Sequence, residues 1–426
     1  MTRSARRGAF VVATALGSLS LVACGGGFEE DPSSSSSSSS ASESGSGGEV
    51  PSGASLRMLI ASSGDAETDA VKAAADAWAS ETGNTVEVTV ASDMDQELAQ
   101  GFASGNPADV MYMDAGKFAT FAKQGSLEPY ADRIADNDAF YQSLRDTFTY
   151  EGTQYCVPKD FSSLALVINT DLWEAAGLTD ADIPTDWDQL VEVSKTLTSG
   201  DVTGLGIGIG IDRLGAFVVG NGGWWLSEDG SAATAAEPGV VDALTYVQDN
   251  VKAGNFQMSN DLGAGWGGEA FGKAAAAMTI EGNWIKGAMS NDFPDINYTV
   301  AELPAGPAGP GTLMFTQCWG LATDSENKDA AINLIESLTT VDQQMAFADA
   351  FGVMPSRSDA ADAYTEKYPD DAAFVAGGEY GHGLINVPDL TDVVAELNSQ
   401  LENMGSADIA DATESFDENA AAALGG

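Results

Sequence analysis

The sequence predicts an α/β protein in two lobes, and three observations carry that expectation. Strand-period and helix-period segments alternate from Leu56 onward in the order βαβαβ. The body that begins there runs to about 370 residues, more than a single hydrophobic core usually serves. A second set of apolar elements opens at Leu164.

Leu56 to Ile60 reads as a short strand. Val71, Ala74, Ala75 and Trp78 recur at helical spacing, so Glu67 to Glu81 is expected as an amphipathic helix ended by Gly83. Val86 to Val90 alternates as a strand, Gln96 to Ala103 is helical, and Asp109 to Met113 is an apolar strand before a helix running to Gln124. Such an order gives parallel strands, whose ligands sit beyond the carboxyl ends. The loop Ala61 to Asp65 and the residue Asp114 occupy those ends. Leu164 to Ile168 is the next strand, with a helix beginning at Asp171-Leu172-Trp173. The run Gly204 to Gly210 alternates glycine with branched residues as a tightly packed strand does; no lysine or helix start follows at the spacing a phosphate loop needs. A helix over Pro238 to Val251, a strand over Ala274 to Ile280, a turn at Glu281 to Trp284 and a proline-glycine loop over Pro304 to Gly311 follow. Ile332, Ile335 and Leu338 mark a further helix.

Sixty-four acidic residues stand against 18 basic ones, a net charge of −46, which disfavours nucleic acid and anionic lipid surfaces as partners. His382 is the sole histidine, so histidine-based metal sites and Ser-His-Asp chemistry are poorly supported, and no metal or cofactor is expected. The N-terminus carries Arg3, Arg6 and Arg7, then roughly 15 apolar residues and a small-residue approach to Cys24, the pattern of a secretory signal. Leu21-Val22-Ala23-Cys24 resembles the lipobox of bacterial lipoproteins, which implies a signal over 1–23 and lipidation of Cys24. Residues 24–54, rich in serine and glycine, read as a flexible tether. Export leaves Cys156 and Cys318 in an oxidising compartment, where a pair of thiols reads first as a disulfide.

The stretches ETGNTVEVTVASDMDQELAQGFASGNPADVMYMDAGKFATFAKQGSLEPY, YCVPKDFSSLALVINTDLWEAAG, AFGKAAAAMTIEGNWIKG and FGVMPSRSDA together resemble, in order, a family 1 extracellular solute-binding protein, the class that includes maltodextrin-binding proteins. The resemblance implies a two-lobe periplasmic-binding-protein-like fold with hinge crossovers and discontinuous lobes, 55–160 plus 312–352 and 161–311 plus 353–426. It further implies a monomeric, lipid-anchored component of an ABC importer that closes on a carbohydrate, hands it to permease subunits outside the cytoplasm, and catalyses nothing. One departure stands out: the family usually has glycine where Ala274 stands, and this chain has Gly272 two places earlier.

Sugar recognition needs aromatic faces for apolar CH patches and charged or amide groups for hydroxyls. Trp224, Trp225, Trp266 and Trp284 lie among glycines, which would leave their rings accessible, and Trp284 matches a family position that stacks on sugar. Trp319 lies near the expected crossover. Asp114 matches an acidic family position that takes hydroxyls; Asp65, Lys159, Asp160 and Arg357 are the other polar candidates, with solvated charges or lobe-closing salt bridges as their alternative reading. The resemblance also places Cys156 and Cys318 close to the hinge as a bridged pair. A polyamine, an organophosphate ester or, less readily, glycoside hydrolysis are the competing functions.

Overall fold

A computed structural model of the chain describes residues 52–425, all within one compact unit spanning Glu49–Gly426. The signal segment, Cys24 and the tether to residue 51 lie outside the described residues. Among the described residues no helix is long and apolar enough to cross a membrane.

Two sheets organise the fold. The strands β1 (Ser55–Ile60), β2 (Thr85–Val90) and β3 (Val110–Asp114) begin the first. A small hairpin, β4 (Thr149–Tyr150) and β5 (Thr153–Gln154), precedes β6 (Pro158–Ser163), which returns to it. The second sheet holds β7 (Ala165–Asn169), β8 (Thr203–Ile207), β9 (Phe256–Met258), β10 (Ala276–Glu281) and β11 (Tyr298–Ala301). β12 (Met314–Leu321) and β13 (Met354–Pro355) then rejoin the first. The strand orders are β13-β6-β12-β3-β1-β2 and β11-β7-β10-β8-β9. β1, β2 and β3 run parallel, as do β8, β9 and β10, whereas β6, β7, β11, β12 and β13 pair antiparallel. Parallel strands follow from the βαβ connections, and the antiparallel ones are the segments that cross between sheets. β6 stays in the first sheet to Ser163, and Met354–Pro355 pair with it, so the crossings fall a few residues beyond the expected divisions at 160 and 352.

Each sheet has its own buried core, and local sequence explains its helices. Asp65–Thr82 buries Glu67, Val71, Ala75 and Trp78 on one face and ends at Gly83, whose φ of 73° suits a residue without a Cβ. Asp93 caps Met94–Ala103 by accepting from the Gln96 amide at 3.0 Å. Only the first part of the glycine run is strand. Gly204 and Gly206 lie in buried β8, where a Cβ on Gly204 would come within 2.2 Å of the Ser194 carbonyl oxygen, so that glycine serves close helix–strand packing. Gly208 to Gly210 leave the strand and, against expectation, a helix, Ile211–Gly220, begins directly after Gly210. A third cluster joins residues of both sheets, with Phe161, Met314 and Met354 against Ala165, Val167 and Phe271. Cys156 and Cys318 are disulfide-bonded, Cα atoms 5.9 Å apart, inside the first core, closing a sequence separation of 162.

Ala274, between the helix Gly267–Gly272 and β10, has φ of 54°, a left-handed conformation that costs an L-residue roughly 1–2 kcal/mol. Gly272 does not relieve it; that glycine makes room for Phe293, whose ring would lie 2.3 Å from an added Cβ. Ala274→Gly is therefore expected to raise stability by about 1 kcal/mol after the glycine's own chain-entropy cost. Urea denaturation checks it, and a lower midpoint for the variant would refute the strain.

Candidate functional site

The carboxyl end of β3 places Asp114 where the helix Ala115–Lys123 begins, and its Oδ1 accepts from the Gly116 amide at 2.9 Å. Strand register then sets a polar row, with Asp114 paired with Gln317 on β12 and Gln317 paired with Asp160 on β6. Residues directly opposite on neighbouring strands share a face, so all three project together. A cavity of about 340 Å³ lies there, lined by Ala61, Met94, Tyr112, Asp114, Lys117 and Gln317 among others. Asp114 is exposed at the strand end, yet protein packed around its carboxyl, with Asp95 nearby, holds it above the ordinary carboxylate range despite the Gly116 amide and Lys117.

Beneath the row, Lys159 is buried between two acids. Its Nζ is 3.3 Å from Glu67 Oε1, is bonded to Asp160, and sits 4.4 Å from the centre of the Tyr112 ring. The Tyr112 hydroxyl donates to Glu67 at 2.9 Å, and the Ser63 amide and hydroxyl each donate at 2.8 Å. Burial opposes the Glu67 charge, but Lys159 and these donors outweigh it and hold the carboxyl below its ordinary range. Asp160 goes the other way, raised by burial more than Lys159 lowers it.

The second sheet contributes a different half. Glu281, fully buried at the end of β10, accepts from Arg213 Nη2 at 2.8 Å and from Trp284 Nε1 at 3.0 Å, both on Oε2. Burial raises its carboxyl, with Arg213 pulling back. The Trp284 ring meets Phe315 edge-on at 5.0 Å, and the Arg213 guanidinium lies 5.2 Å from the indole. Phe315 and Gln317 are two apart on β12 and so share a face, linking this half to the polar row. Trp266 is half-buried, and its ring lies over Gly268 as the Trp284 ring lies over Gly282: an added Cβ would come within 2.1 and 2.2 Å of the respective indoles.

Several expected site residues lie elsewhere. Trp225 and Trp319 are fully buried, one in each main core, and Trp319 packs against Tyr112 at 5.1 Å; neither ring is accessible. Arg357 is bound to Asp359 at 2.9 and 2.7 Å and lies over Phe140, away from the residues lining the cavity. Lys159 supports the row from below. Asp65 is exposed at the first position of its helix, apart from the residues lining the cavity. Trp224 meets His382 at 3.9 Å beside a separate cavity of about 810 Å³, and burial keeps that imidazole's pKa below its usual value. Arg213, Glu281, Phe315, Gln317, Tyr112 and Glu67 were not among the expected residues. The rule that ligands gather at strand ends could have flagged Glu281, the last residue of β10, and Arg213, which follows β8.

The family described as bacterial extracellular solute-binding protein matches residues 64–345. A protein of Brucella abortus named as a binding protein is 25% identical over 294 residues, 66% of this chain and 70% of its own length. The diacetylchitobiose binding protein DasA of Streptomyces coelicolor is 22% identical over 281 residues, 64% of this chain and 65% of its own. The crystal structure of the cyclic alpha-maltosyl-1,6-maltose binding protein from Arthrobacter globiformis superposes with a TM-score of 0.78 at 21% identity, covering 87% of this chain and 98% of that one. This last likeness shows a common fold.

Removing Glu67 leaves a buried ammonium short of a partner, a change that typically costs about 3 kcal/mol. Because the folded Glu67 carboxyl is held low, its stabilisation is complete above the ordinary carboxylate pKa and is lost as pH falls through the folded value. Glu67→Ala is thus expected to lose the most relative to wild type near neutral pH, with the gap narrowing in acid. Denaturation midpoints across pH read this directly, and a pH-independent gap would contradict it.

Proposed function

Because the chain belongs to the bacterial extracellular solute-binding proteins, we propose that it captures a saccharide between its two lobes and presents it to a membrane-embedded ABC importer without catalysis of its own. The observation that carries this reading is the pairing of chemistries across the sheets. One edge offers an indole fixed by Glu281 and Phe315, and the other offers the Asp114–Gln317–Asp160 row. A pyranose presents an apolar CH face to the first and hydroxyls to the second. The names of DasA and the Arthrobacter protein, both binders of oligosaccharides, agree with it. Ligand binding favours a closed arrangement of the lobes because only there are both halves engaged at once. Hydrolysis is the weaker reading, since Glu281 is occupied by Arg213 and Trp284 and Asp160 by Lys159.

The anchor belongs to the same proposal. Cys24 is lipidated after removal of residues 1–23, and the serine-rich tether holds the folded body, as a monomer, near the outer face of the membrane.

Calorimetric titration with a panel of oligosaccharides, and with putrescine and spermidine as alternatives, tests the ligand class. Trp284→Ala is expected to weaken sugar binding by roughly 1–3 kcal/mol while leaving the circular dichroism spectrum unchanged. Heat from the polyamines alone, or an unaltered affinity in the variant, would reject the assignment. Cys24→Ser is expected to abolish acylation, and metabolic labelling that still finds lipid on the variant would overturn the anchor.

A further inference from the structure

The Glu281 carboxylate sits buried at the second lobe's half of the site, with its Oε1 left without a hydrogen-bond partner among the described residues. It has no exposed surface, and one oxygen, Oε2, accepts from both Arg213 and Trp284. An indole has a single N–H donor, so this bond fixes which way the Trp284 ring faces. Gly282 completes the arrangement: lacking a Cβ, it lets the ring lie on the backbone. Arg213 is bonded at both ends of its fork, to Glu281 through Nη2 and to Asp212 through Nη1 at 3.0 Å.

The same accounting extends across the cleft. Lys117 is paired with Asp95 at 3.1 Å, and Lys159 with Glu67 and Asp160. The cations of the two half-sites, Lys117, Lys159 and Arg213, therefore face Asp95, Glu67, Asp160, Asp212 and Glu281, and Asp114 adds a carboxylate with no cationic partner among the described residues. An anionic ligand entering this cleft meets excess negative charge and no uncommitted cation, which is how a site rejects one charge class while keeping its hydrogen-bonding capacity for hydroxyls.

We propose that Glu281 is a positioning residue that locks Trp284 and neutralises Arg213, so that the cleft selects uncharged saccharides against those bearing uronate or phosphate groups. This rests on the saccharide reading above. It also removes the organophosphate ester from the competing ligands.

The test is calorimetric titration of matched pairs: maltose with maltose phosphate, N,N′-diacetylchitobiose with its phosphate, and galactobiose with digalacturonate. Wild type is expected to bind the neutral member of at least one pair and its charged counterpart at least about tenfold more weakly. Glu281→Gln is expected to weaken the neutral ligand about tenfold and to raise the charged-to-neutral affinity ratio by a similar factor. Asp212→Asn, at a half-exposed position, frees the same guanidinium without disturbing the buried carboxylate and should shift the ratio in the same direction. Equal binding of a charged and a neutral partner to wild type would overturn the selectivity alone. So would variants that weaken both partners equally, the signature of a merely structural role. No heat with any probe would overturn the saccharide reading and this inference with it.

Discussion

Leu164 is the one residue between β6 of the first sheet and β7 of the second, and the arrangement of both lobes depends on how it is held. Its amide donates to the Leu313 carbonyl at 3.1 Å, and its carbonyl accepts from the Thr312 hydroxyl at 2.7 Å. The chain thus passes between sheets beside the segment that makes the return crossing into β12. With β6 antiparallel to β12 and β7 antiparallel to β10, this hinge meets the carboxyl ends of β3 and of β8 and β10. Strand ends that would each be an isolated rim in a single-sheet protein become the two sides of one cleft.

Around that hinge the two halves are stiffened by different means. In the first lobe, a buried cluster of Glu67, Lys159, Asp160 and Tyr112 lies under the polar row, and the Cys156–Cys318 bridge ties the approach to β6 to β12. Partnered charges there are tolerable in a dry environment only because each meets an opposite charge or a donor. In the second lobe, the support is a single carboxylate and the absence of Cβ atoms under two indoles. The apolar cluster shared by both sheets gives the crossing a core of its own.

Much of this was legible in the chain. The βαβαβ opening, the strand character of the first part of the glycine run and the place of Asp114 at a strand's carboxyl end all follow from periodicity and element order. Glycine misled the reading of the tryptophans. Small neighbours suggested exposed rings at Trp224-Trp225, but a Cβ on Gly223 would come within 2.5 Å of the Gly239 carbonyl carbon; the glycine there permits tight backbone packing that buries Trp225 completely. At Trp266 and Trp284 the nearby glycines instead support the indoles. Composition alone does not separate a glycine that admits backbone from one that admits a ring. Arg213 and Glu281 were hidden for a simpler reason: they stand 68 residues apart and acquire meaning only when β8 and β10 lie side by side. Local patterns report elements well and report non-local ion pairs hardly at all.

The central claim is that one ligand touches both edges of the cleft at once. A crystal structure of the protein with an oligosaccharide that titrates calorimetrically tests this most directly. The account predicts a pyranose ring lying on the Trp284 indole, with hydroxyls bonded to Asp114 and Gln317 from the opposite lobe. A sugar held by one lobe alone, or seated in the cavity beside Trp224 and His382, would contradict it.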